Sequence, residues 1–118
     1  RGFTYVDDVV EGLILACEHI EDGSAVNVGT SEFISLNGIA EAIFRAFNWR
    51  PAGGVTHRLD KPVGVRHRAL DGRFAQATTG WTPQISLEEG MQRTIDWYRR
   101  NRNVDDVRAQ LDDLLMSR

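Results

Sequence analysis

The chain has 118 residues, of which 42% are hydrophobic and 26% charged, and it carries a formal net charge of −3 at neutral pH. That size and composition suit one ordinary globular domain, and the acidic balance speaks against nucleic-acid binding. The single cysteine, Cys17, excludes an internal disulfide and fits a reducing, cytoplasmic setting, and no apolar run approaches the ~20 residues of a membrane span.

In chain order, Phe3–Val6 reads as a short β-type run leading into a helix of about Asp7 to His19. The apolar positions Val6, Val10, Leu13, Cys17 and Ile20 recur at helical spacing, which predicts a core-facing stripe with Cys17 as a buried thiol. Asp7 and Asp8 fall at the helix start, where carboxylates complement the dipole and cap free amides. After a turn at Glu21–Ser24, Ala25–Gly29 reads as a strand. Ser35 can cap a second helix, with Leu36, Ile39, Ala40, Ile43, Phe44 and Phe47 on one face. A Pro/Gly loop over 48–54 precedes two further extended segments, Gly54–Leu59 and Val65–Leu70.

Asp71 is the expected N-cap of a short helix that stops at Gly80, with Trp81 packing back on its last turn. Ser86 and Glu89 form a capping box for the next helix, whose inner face is Leu87, Met91, Thr94, Ile95 and Tyr98. Trp81, Trp97 and Tyr98 read as packing between the closing helices. A last helix, Val104 to Met116, gathers Val104, Val107, Leu111, Leu114 and Leu115 on one side and carries Asp105, Asp106, Asp112 and Asp113. The fold class is therefore α/β: a small, mainly helical domain with two or three short strands, residues 1–102, followed by an acidic amphipathic tail, 103–118.

Searches for catalytic chemistry return little. Cys17, His19, His57 and His67 lack the paired short spacing of zinc ligands, and no Gly-x-Ser-x-Gly elbow marks a nucleophile. Charge is uneven, however. Between Arg50 and Arg73 stand Arg50, Arg58, Lys61, Arg66, Arg68 and Arg73 against only Asp60 and Asp71, a local positive segment suited to a small anion. Guanidinium groups fork hydrogen bonds onto phosphate oxygens.

Two motifs near the ends of the chain carry a resemblance. The stretch Arg1-Gly2-Phe3-Thr4-Tyr5-Val6-Asp7-Asp8-Val9, together with Gly80-Trp81-Thr82-Pro83 and Ser86-Leu87-Glu88-Glu89-Gly90, resembles the C-terminal, substrate-binding part of the NAD-dependent nucleotide-sugar epimerases and dehydratases of the extended short-chain dehydrogenase/reductase family. The resemblance implies a segment that holds a UDP-, GDP- or dTDP-sugar over NAD bound by a Rossmann domain, from which this unit is detached. It implies that Arg1 and Arg66 reach the diphosphate, with Arg68 beside Arg66 and with Asn27, in a Tyr-Asn-x-Gly-like strand, able to approach the ligand. The chain has no glycine-rich strand-turn-helix, and His57 stands four residues before its only lysine, Lys61, so the family's Tyr-x-x-x-Lys is absent. The chain alone is then expected to bind no cofactor, to hold no metal and to be catalytically incompetent, and its exposed helix faces should seek the missing Rossmann domain or another copy. The alternative reading is a free-standing, non-enzymatic module that binds small anions or mediates protein contacts.

Overall fold

Five helices make up the regular structure of this computed structural model, which describes residues 1–62, 64–68 and 70–116. Helix α1 spans Val6–His19, α2 Leu36–Phe47, α3 Arg73–Thr79, α4 Leu87–Asn101 and α5 Val104–Met116. The starts follow local chemistry. Ser35 Oγ accepts from Gly38 N at 3.0 Å, and Ser86 Oγ accepts from Glu89 N at 3.2 Å. The Glu89 carboxylate accepts from Arg93 instead of returning to Ser86, so the capping box is seen only in its serine half. The stops follow it too. Asn48 (φ 49°) ends α2 and Gly80 (φ 71°) ends α3 in the left-handed region, which Asn and Gly enter most readily.

The Asp71 expectation needs a one-residue correction. Gly72 occupies the N-cap of α3, and Asp71, just before it, accepts from Arg73 N at 3.1 Å. An Asp-Gly pair places the carboxylate within reach of the first free amide from outside the cap.

No strand forms among the described residues, so the α/β expectation is corrected to a helical array with extended connections. A strand requires a ladder, and these segments have little to pair with inside the chain. What remains is a local exchange. The Arg1 amino group donates to Ile34 O at 2.9 Å, Ile34 N donates to Arg1 O at 3.0 Å, and Thr30 N donates to Thr4 Oγ1 at 2.9 Å.

The helices pack as two pairs, α1 on α3 and α2 on α4. The core is narrow: Ala16, Ala42, Ala75, Trp81 and Ile95 are its buried hydrophobic residues. The buried line of α1 is Asp8, Gly12 and Ala16, not the apolar stripe. Val6, Val10, Leu13, Ile14 and Cys17 are exposed, so Cys17 is a surface thiol. The helix turned its small side inward because Trp81 needs the room: a Cβ on Gly12 would meet Val28 Cγ1 at 2.5 Å and Trp81 Cε2 at 2.9 Å.

Asp8 departs furthest from expectation. It is 3% exposed; its carboxylate accepts from Ile85 N at 2.9 Å, and its carbonyl accepts from Trp81 Nε1 at 3.0 Å. Rather than serving the helix dipole, it locks the opening motif to the closing one. Trp97 and Tyr98 are exposed rather than packed between helices, and Arg102 lies over the Trp97 ring.

The molecule is open for its mass. Its accessible surface of 9564 Å² compares with roughly 6,500 Å² for a folded 13.3 kDa monomer. Its radius of gyration of 17.7 Å compares with about 13.5 Å for a typical domain of this length. Among the described residues, no helix is long and apolar enough to cross a membrane.

Candidate functional site

A groove of about 920 Å³ opens between the start of α2 and the extended segment before α3. Its cationic rim is Arg1, Arg66 and Arg68, and its apolar wall is Phe33, Ile34 and Leu36. The volume lies within the usual range for small-molecule sites. The structure thus brings three of the four sequence-predicted residues together. Asn27 stands apart from the groove, its Nδ2 donating to Asp71 O at a long 3.4 Å.

The charges sort cleanly. Arg50 is held by both oxygens of Glu41, Arg58 by Asp60 and Arg73 by Asp71. Among the described residues, Arg1, Arg66 and Arg68 lie within ion-pair distance of no carboxylate. The positive segment read from the sequence is therefore half neutralised internally, and its free guanidinium groups gather at one groove. Such an arrangement can grip a small polyanion, which supplies negative charge to a lining that contains no carboxylate.

Asp71 shows the opposite state. Hydrogen bonds from the Arg73 side chain and backbone hold its carboxyl at about 2, below the ordinary 3.8. A depressed folded value means that the ionised carboxylate contributes stability in full above its unfolded value and loses it as pH falls through about 2. An NMR titration should therefore find Asp71 half-protonated near pH 2, and Arg73→Ala should return it toward 3.8. An unchanged midpoint in the variant would deny the pairing.

Phe33 and Leu36 were missed as groove residues. Leu36 falls on the predicted inner stripe of α2 but is 73% exposed, and Phe33 is 62% exposed. A signal for Phe33 was available. Ile34 occupies the staple position before the Ser35 cap and lies on Gly38, where a Cβ would meet Ile34 Cγ1 at 2.5 Å. In extended chain, neighbours point to opposite sides, so an inward Ile34 turns Phe33 outward. Among the described residues, no group of three His, Cys, Asp or Glu side chains is placed to hold a metal ion.

No protein-family model matches the chain. It is 31% identical over 99 residues to the GDP-mannose 3,5-epimerase of Arabidopsis thaliana, covering 84% of this chain and 25% of that protein. The solved UDP-glucose 4-epimerase of Thermotoga maritima, in complex with UDP-glucose, superposes with a TM-score of 0.71 at 30% identity, over 85% of this chain and 31% of that one. The Bordetella bronchiseptica enzyme WbmF, solved with NADH, shares the fold at a TM-score of 0.70 and 24% identity, over 86% of this chain and 30% of that one. The chain thus spans about a quarter to a third of the length of these proteins. It belongs, as a partial match, to the NAD-dependent nucleotide-sugar epimerase/dehydratase family within the extended short-chain dehydrogenases/reductases.

Proposed function

We propose that this chain is the nucleotide-sugar-binding portion of an epimerase or dehydratase of that family, and that Arg66, with Arg68 and Arg1, grips the diphosphate. The observation that carries the reading is that Arg66 and Arg68, which meet no carboxylate among the described residues, line one groove together with Arg1, while the neighbouring Arg50, Arg58 and Arg73 are each neutralised by a carboxylate. Residues 1–102 form the binding unit and α5 is an appended tail. Phe33 and Leu36 give the ligand an apolar wall.

The family's redox chemistry rests on NAD. This chain's own residues do not fit a dinucleotide: none of its eleven glycines lies in a strand-turn-helix, and its one lysine has no tyrosine four residues before it. Its share is binding and orientation. The relatives' GDP-mannose and UDP-glucose name two candidate substrates. Because the relatives are enzymes, a free-standing non-enzymatic module is not favoured.

A titration followed by NMR tests the reading directly. UDP- and GDP-sugars should shift the amides of 64–68, with weak affinity because the groove has one wall open. Charged hydrogen bonds are worth roughly 1.5–3 kcal/mol, so Arg66→Ala should weaken binding about ten-fold or more. Shifts that bypass the segment would sink the assignment.

A further inference from the structure

We propose that α5 docks on a second copy of this chain, filling the cleft between α4 and α5 of that copy while the copy's α5 does the same in return. The contact goes beyond the nucleotide-sugar reading and needs none of the groove residues. Among the described residues, α5 packs against no other helix. Arg102, in extended conformation (φ −126°, ψ 136°), turns the chain at the end of α4. Asn103 then starts α5, its side chain accepting from Asp105 N at 2.9 Å and its carbonyl from Val107 N at 3.1 Å. The elbow so formed frames a cleft of about 660 Å³, with Tyr98, Val107 and Leu111 as its apolar lining and Arg102 and Asp106 at its rim. Tyr98 and Leu111 stand exposed in it.

Charge says what fills it. α4 ends in a basic turn, Arg99 and Arg100, followed by Arg102, and α5 begins with Asp105 and Asp106. Although a few residues apart in sequence, the two groups form no ion pair among the described residues. Arg99 lies over the Phe47 ring, Arg100 Nε donates to Asp96 O at 3.1 Å, and Arg102 lies over the Trp97 ring. An occupant of the cleft therefore needs apolar side chains for Tyr98 and Leu111, and carboxylates for the arginines. α5 itself has that composition: Val107 and Leu111 recur at helical spacing after Asp105 and Asp106, and Asp112 and Asp113 follow in the sequence. A two-fold axis makes each contact twice, so one chain carries both halves of the match. Exposed ion pairs add little stability by themselves, so apolar burial supplies the affinity and the charged rim selects the helix that enters.

Mixing two differently labelled chains separates a contact between molecules from one within a molecule. One chain is 15N-labelled; the other is unlabelled and carries a nitroxide at Arg108→Cys in a Cys17→Ser background. At high micromolar concentration the nitroxide should broaden the 98–101 amides of the 15N chain. Asp105→Arg/Asp106→Arg in both chains should abolish the broadening, and so should Arg99→Asp/Arg102→Asp in both. It should return when the nitroxide chain carries the first pair of changes and the 15N chain the second, because each then meets the charge it lacks. Leu111→Ser should abolish it without altering a charge. Absence of broadening at 98–101 in the chains with unaltered elbows would overturn the proposal, and so would broadening that survives either reversal. Reversed chains that stay apart when mixed, though still as helical as the parent by circular dichroism, would also sink it. Where a reversal costs helix, Leu111→Ser decides: broadening that persists in that variant rejects the exchange.

Discussion

Trp81→Ala is expected to unfold most of the chain at room temperature. The indole is 4% exposed, rests on Gly12 and donates to Asp8 O at 3.0 Å. Truncating a buried aromatic costs about 3–5 kcal/mol, and a protein whose core consists largely of alanines has little in reserve. Urea unfolding followed by far-UV circular dichroism gives the size of the loss. Trp97→Ala is the matched control: that ring is 51% exposed, and its loss should change stability by no more than about 0.5 kcal/mol. Gly12→Val, which drives a branched side chain into Val28 and Trp81, should cost about 1–3 kcal/mol or more. Equal effects at Trp81 and Trp97 would mean that the indole at 81 does not organise the core.

The second large effect concerns mass in solution. The chain exposes roughly 3,000 Å² more than a closed monomer of its size, well above the roughly 800 Å² per partner of a standard interface. The excess includes the outward stripe of α1, where Val6, Val10, Leu13 and Ile14 stand in solvent together. Light scattering at high micromolar concentration should therefore report a dimer or larger species, with self-association covering this surface. Val10→Ser with Leu13→Ser should lower the mass toward the monomer, and Leu111→Ser should do so if α5 takes part. A monomer throughout the range, with or without these changes, would show that this surface is solvated as it stands.

The helices were legible because their signals are local. Ser35, Ser86 and Gly80 each act within four residues of themselves, and each stands where the sequence places it. The strands were not, because β composition at Ala25–Gly29 states a preference whose ladder partner must come from elsewhere. The α1 stripe misled for a related reason. Hydrophobic periodicity marks the face that some partner covers, whereas this chain's own Trp81 takes the small face of Gly12 and Ala16. Arg66 and Arg68 were legible as members of a positive segment, but the carboxylates that silence its other arginines, Arg50, Arg58 and Arg73, emerge only from side-chain geometry. Asp8 was hidden by a plausible local role at a helix start; its hydrogen bonds span 73 and 77 residues.

Those two spans also set the order of events during synthesis. While a nascent chain has released α1 but not yet Trp81 and Ile85, the Asp8 carboxylate and the Gly12 notch have nothing to bind. The helix must wait, in water or on a chaperone, with both of its faces open. Closing so long a loop costs chain entropy that short-range helix formation does not offset, and non-local closure of this kind slows folding. The rate-limiting step should then be the arrival of the 81–85 segment on a waiting α1, with folding and the emergence of that segment from the ribosome coinciding.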